Sequence, residues 1–166
     1  MSGRVTETRI ESPNGADDLL TPSLQHRVEL SDTPSPWRLS SQVYVAFFGG
    51  SLAVTAIALL NARRHAMPRK ALILIAVAGL VAFAAVLAVA SIIANDGDGG
   101  TPSGLRVAVQ LISVVGWGPM FLLQRPFDRV FESFGDREYK SLLGPGLLAV
   151  LALGMVQLYA IVKVAG

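Results

Sequence analysis

The chain has 166 residues, 52% of them hydrophobic and 16% charged, with a formal net charge of +2 and no cysteine. That balance is far more apolar than an ordinary soluble domain, and the lack of cysteine excludes disulfides, thiol chemistry and thiolate metal sites within this sequence. The apolar residues also gather in long blocks, where a soluble core would space them at a helix or strand period, so a membrane protein is expected.

Residues 1–40 differ from the rest. They carry Ser2, Ser12, Pro13, Gly15, Pro22, Ser23, Pro34, Ser35 and Pro36, charges of both signs and no sustained apolar period. This composition predicts a disordered N-terminal tail. Within it, residues 23–30 ("SLQHRVEL") are compatible with a short helix capped by Ser23, too short to be stable alone. No basic stretch followed by an apolar core lies near Met1, so no cleaved signal peptide is expected and the tail should remain in the mature protein.

Four apolar blocks follow, at 41–61, 71–94, 107–123 and 142–162, none containing Asp, Glu, Lys, Arg or His. At ~1.5 Å per residue, runs of about 17 to 24 residues reach roughly 25 to 36 Å, against ~30 Å of hydrocarbon. The blocks do not alternate apolar with polar, which favours helices over a β-barrel. The expected architecture is an all-α integral membrane protein, with residues 41–166 forming a four-helix transmembrane domain whose spans lie at about 41–61, 71–94, 105–124 and 142–162.

Between the first two spans stand Arg63, Arg64, His65, Arg69 and Lys70; between the last two stand Arg125, Arg129, Arg137 and Lys140. Lys and Arg are retained on the cytoplasmic side, so both basic loops are expected there and, with four crossings, both termini outside. The short loop "NDGDGGTPSG" carries Asp96 and Asp98 and fits the outer side. Its two carboxylates fall short of the ligand spacing of a calcium loop and read as a flexible turn. The basic residues Arg63, Arg64, His65, Arg69, Lys70, Arg125 and Arg129 are either a topology signal or contacts for an anionic lipid headgroup; the topology reading explains them without a ligand.

In "QRPFDRVFESFGDREYK", Phe127, Val130, Phe131 and Phe134 share one helical face, with Pro126 suited to a first turn and Gly135 to a stop. A short amphipathic cytoplasmic helix is expected, lying parallel to the membrane. Its Phe face rests either in the acyl boundary or against the ends of the bundle. Pro119, in "GWGPM", is expected to kink the third span or loosen its end. "GPG" at 144–146 marks the start of the fourth, and Gly49 with Ala53, Ala78 with Ala82, and Ala84 with Ala88 have the spacing that permits close helix approach.

Polar side chains in the spans are few: Gln42, Ser51, Thr55, Asn61, Ser91, Gln110, Ser113 and Gln157. Gln42, Asn61 and Ser91 lie near span ends, where water is expected. Gln110, Ser113 and Gln157 are candidate intramembrane contacts, either between helices or along a path for a substrate. No ionisable residue falls in a span core, which argues against an ion-coupled transporter acting through this chain alone. The histidines, His26 and His65, form no metal-ligand spacing, and no nucleophile elbow or phosphate loop is present, so no catalytic, cofactor or metal site is assigned.

"SSQVYVAFFGGSLAVTAIALLNARR", residues 40–64, resembles the start of a family of small uncharacterised bacterial multi-span membrane proteins. Gln42, Phe47, Phe48, Gly49, Gly50, Leu52, Ala53 and Asn61 match its pattern, a Phe-Leu-Gly-Gly-Pro-Leu-Ala-like step ending in Asn and basic residues, with Ser51 in place of Pro. "FGDREYKSLLGPGLLAVLALG" is similar to the family's segment leading into the last span. The resemblance implies a multi-span membrane protein and supplies no activity. Ala-, Gly-, Val- and Arg-rich, Lys-poor usage points to a GC-rich bacterial genome, and hence to the bacterial inner membrane. The expected role is a non-catalytic accessory or scaffold subunit, in contact with the bilayer and with other membrane subunits or copies of itself, and not with nucleic acid. The alternatives are a homo-oligomeric pore or carrier and a lipid-headgroup binder or enzyme.

Overall fold

The computed structural model of the chain describes residues 35–95, 102–133 and 138–165. The residues of the expected tail before 35, its possible helix at 23–30, the Asp96/Asp98 loop and residues 134–137 lie outside the described residues. Four helices make up nearly all of the rest: α1 (Gln42–Arg64), α2 (Arg69–Asn95), α3 (Pro102–Ser133) and α4 (Leu143–Ala165), with a single 3-10 turn, Leu39–Ser41, leading into α1. By length and composition each of the four is able to cross a membrane.

The surface supports a lipid environment. α2 buries only a narrow stripe, Ile75, Gly79, Ala82, Val86 and Ala90, while Leu80 and Val81 on its other faces are 67% and 63% exposed. α4 likewise turns Leu147, Leu148, Leu151, Met155 and Tyr159 outward. Apolar faces this continuous are incompatible with a monomer in water and are ordinary against acyl chains.

α1 does not run straight. Gly50 has φ 78° and ψ −171°, a conformation essentially confined to glycine, and it divides the helix into arms at 42–49 and 51–64. In a straight helix Gln42 and Asn61 would stand roughly 28 Å apart. Here both donate to the same atom, Gln124 Oε1, at 3.5 Å and 3.2 Å. The chain therefore reverses at Gly50 and returns to the end of the bundle from which it started. The arms reach only ~12 Å and ~21 Å, each short of a ~30 Å hydrocarbon layer. This corrects the expectation that residues 41–61 form one straight crossing with ends on opposite sides.

The hairpin made by α1 is the centre of the bundle. Its rising arm follows α4: Gly146 faces Val45, and Gly49 packs where a Cβ would meet Val150. Its descending arm packs on α2, with Thr55 filling the space a side chain at Gly79 would need, and α2 in turn sets Ala82 against Gly116 of α3. The backbones of α3 and α4 make no close approach among the described residues, so the hairpin is what fills the space between them.

Two further expectations change. The segment with the Phe face is helical, yet it continues α3 without a break through Pro119 and Pro126. It is not a separate helix lying along the membrane. Phe127 packs against the cluster of Met67, Ile75 and Met120, and Phe131 lies 6.2 Å from the His65 ring and 5.2 Å from that of Tyr139. These contacts place Phe127 and Phe131 against the bundle. Residues 35–40, assigned to the tail by composition, are also packed: Trp37 and Leu39 are 3% and 2% exposed.

Candidate functional site

The base of the hairpin is closed by carboxamides. Trp37 N–H donates to Asn61 Oδ1 at 2.7 Å, and Asn61 Nδ2 donates back to Trp37 O at 3.2 Å as well as to Gln124 Oε1. Lys140 N–H donates to Pro36 O at 3.1 Å, joining the segment before α4 to residues 35–41, the strap that leads into α1. Gln42, Asn61 and Gln124 are fully buried, contrary to the expectation that Gln42 and Asn61 meet water at span ends. Gln124 was not singled out by sequence. Its signal was the recurrence of a carboxamide at both ends of the first apolar block and at the end of the third.

The basic residues divide. Arg64 Nη1 donates to Ser35 O at 2.8 Å, and its guanidinium lies 3.8 Å from the centre of the Trp37 ring, so it pins the strap. Arg63, Arg69, Lys70, Arg125 and Arg129 are exposed; Arg125 stands 5.9 Å from the Phe121 ring. His65 is unlike its neighbours. Its side chain is 3% exposed, and Nε2 lies 3.9 Å from Asp128 Oδ1, which already accepts from Tyr139 OH at 3.0 Å. Burial lowers the His65 pKa, favouring the neutral ring. Burial and the neighbouring Asp128 raise that of the Tyr139 hydroxyl, which stays protonated.

The tip of the hairpin is held by Gln157 of α4. Its Oε1 accepts from Ser51 Oγ and from Leu52 N–H, both at 3.1 Å. A helix start at Ser51 leaves backbone N–H groups unpaired, and Gly50 has no side chain to cap them, so α4 supplies the cap in its place. In hydrocarbon no water would do so. The Gln157 amide occupies the space a Cβ on Gly50 would need. Ser113 turns back to its own helix, donating to Val109 O at 2.7 Å. Ser113 and Gln157 are therefore both engaged inside the bundle.

Above the tip, the space between α3 and α4 is unfilled. A cavity of about 640 Å³ lies there, lined by Gly49 and Gly50, by Arg106, Val109 and Gln110 of α3, and by α4 from Val150 to Val162. It opens sideways, past Leu151, Leu158 and Val162, all more than half exposed. Its walls are chiefly apolar, with Arg106 the one charged residue among them. No family model, curated protein or solved structure matches this chain. The site is accordingly read from its chemistry: a buried polar base, a capped helix break and an apolar cavity above it. Among the described residues no group of His, Asp and Glu has the arrangement of a metal site.

Proposed function

We propose that the chain is a non-catalytic membrane subunit, an accessory or scaffold protein, whose first apolar segment is a re-entrant hairpin and whose remaining three helices cross the bilayer. The observation that carries this reading is the use of the buried polar groups. Ser51 and Gln157 hold the tip, while Trp37, Gln42, Asn61 and Gln124 hold the base. A pore or carrier would present such groups to its path; of these only Gln157 borders the cavity, with its oxygen already accepting from the tip. The basic cluster, with Arg64 committed to the strap, supports a topological role over a headgroup enzyme.

The proposed location is the bacterial inner membrane, in keeping with the family resemblance of residues 40–64. The base carries Arg38, Arg63, Arg64, Arg69, Lys70, Arg125, Arg129 and Lys140, against Arg106 and Lys163 at the other end, which puts the base on the cytoplasmic side. Because the hairpin returns, residue 35 lies on that side too. On this reading the chain enters α1 from the cytoplasm and α4 ends outside, where both ends were expected outside.

The chain lacks cysteine, so single cysteines report topology directly. Ser40→Cys and Ser141→Cys should react with a membrane-impermeant maleimide from one side, and Asn95→Cys from the other. Labelling of Ser40→Cys together with Asn95→Cys would show α1 to be a full crossing. The accessory role is tested separately, by purification from the native membrane in mild detergent through a tag after Gly166 and weighing of the intact particle. A heteromeric particle is expected; a lone chain or homo-oligomer would return attention to the pore.

A further inference from the structure

The cavity above the hairpin tip has a length, a depth and a charge that together specify an occupant. Along α4 it extends from Val150 to Val162, or roughly 18 Å at the helical rise, close to half of a ~30 Å hydrocarbon core. Its inner end lies against Phe47, Phe48 and Gly49 of the rising arm, at the level of Val150, and the Gly50 turn with the Gln157 amide stands part-way along its wall. Gln157 is 3% exposed, and with Oε1 spent on Ser51 and Leu52, its Nε2 donates to no group among the described residues. The rim is Arg106, near the start of α3, with Gln110 one turn deeper on the same face. Arg106 is exposed and pairs with no side chain among the described residues.

We infer that this cavity is a binding site for an anionic phospholipid of the leaflet opposite the basic loops, with one acyl chain between α3 and α4 and the phosphate at Arg106. The lateral opening admits a chain from the bilayer, which a closed pocket for a soluble ligand would not. The inner end, beside Val150, lies at about the depth where an acyl chain of that leaflet ends. Arg106, the one charged residue of the lining, selects for charge, and the apolar walls below it do not.

The physical origin of the site is the hairpin. A straight first helix would occupy the space between α3 and α4 over the full thickness; one that turns back at Gly50 fills only the basic half and leaves the other half open.

The test uses the full chain purified in a maltoside detergent and supplied with phosphatidylglycerol or phosphatidylcholine, the bound lipid being counted from the mass of the intact particle. Phosphatidylglycerol should be retained in preference to phosphatidylcholine. Arg106→Gln should weaken its binding about fivefold, as expected for the loss of one basic contact, and weaken phosphatidylcholine, whose own choline cation offsets its phosphate, by less, so that the preference between the two narrows. Leu158→Trp, which fills the cavity from its exposed edge, should reduce both lipids while the melting temperature holds. Equal retention of the two lipids by the unaltered chain, or undiminished phosphatidylglycerol on Arg106→Gln, would overturn the inference. So would a second polypeptide in the particle that protects Leu158→Cys from maleimide labelling.

Discussion

Gln157 caps a helix to which it does not belong: its side-chain oxygen accepts the hydroxyl of Ser51 and the amide of Leu52 more than a hundred positions earlier in the chain. Gln157→Leu keeps the volume and removes the acceptor, leaving two donors at the tip unpaired. The expected loss is about 1–2 kcal/mol, since measured hydrogen bonds between membrane helices rarely exceed that. Thermal unfolding in detergent checks it; an unchanged melting temperature would mean the tip is satisfied in another way.

Gly50 should tolerate no side chain. Its positive φ and the Gln157 amide beside it both oppose one, and Gly50→Ala is expected to cost about 2–3 kcal/mol. Gly118→Ala is the control, because a Cβ there meets open space within a continuous helix. It should gain up to about 1 kcal/mol. Equal effects of the two replacements would contradict the reversal at Gly50.

Asn61→Leu should release the strap. It strands the Trp37 N–H and carbonyl and takes a donor from Gln124 in a fully buried setting, at a cost of about 2–3 kcal/mol. Trp37 emission should move to longer wavelength as the ring leaves the core, measured in a Trp117→Phe background. That background is itself expected to be neutral or slightly stabilising, since the Trp117 indole N–H is buried without a partner among the described residues.

His65 predicts a pH dependence of definite sign. Its folded pKa lies below the ordinary value of 6.5 because burial disfavours the charged ring. As the pH falls below about 6.5 the unfolded chain takes up a proton at His65 that the folded one does not, so the His65 contribution to stability declines from there downward and is constant above. His65→Gln should flatten that step. Burial raises the pKa of Asp128, 3.9 Å away, and that carboxyl contributes in the opposite sense at lower pH, so the His65 step is read as the difference between the unaltered chain and His65→Gln; no difference near pH 6.5 would count against a buried neutral ring.

Ala66 is the one residue other than glycine with positive φ, at 50°, among the described residues. It closes α1, with Met67 N–H bonding Ala62 O and Ala66 N–H bonding Arg63 O, a pattern that favours glycine at this position. Ala66→Gly should raise stability by about 0.5–1 kcal/mol; a lower melting temperature would count against this turn.

Helical class and membrane affinity were legible in the sequence because each depends on local quantities: the length of an apolar run and the absence of charge within it. The same quantities misled over residues 41–61. A block of that length without a charged residue is enough for a crossing whether or not the chain reverses within it, and the reversal depends on one backbone angle at Gly50 together with partners at Gln124 and Gln157. Gly-Gly in "FFGG" permits such a turn without requiring it. The Phe face after Pro126 was also read correctly as helical. Its direction was settled by the packing of Phe127 and Phe131 onto the α1–α2 turn and the start of α4, which periodicity does not contain. The cavity belongs wholly to the tertiary level: it is the volume left when a hairpin takes the place of a full-length helix, and no single segment encodes it.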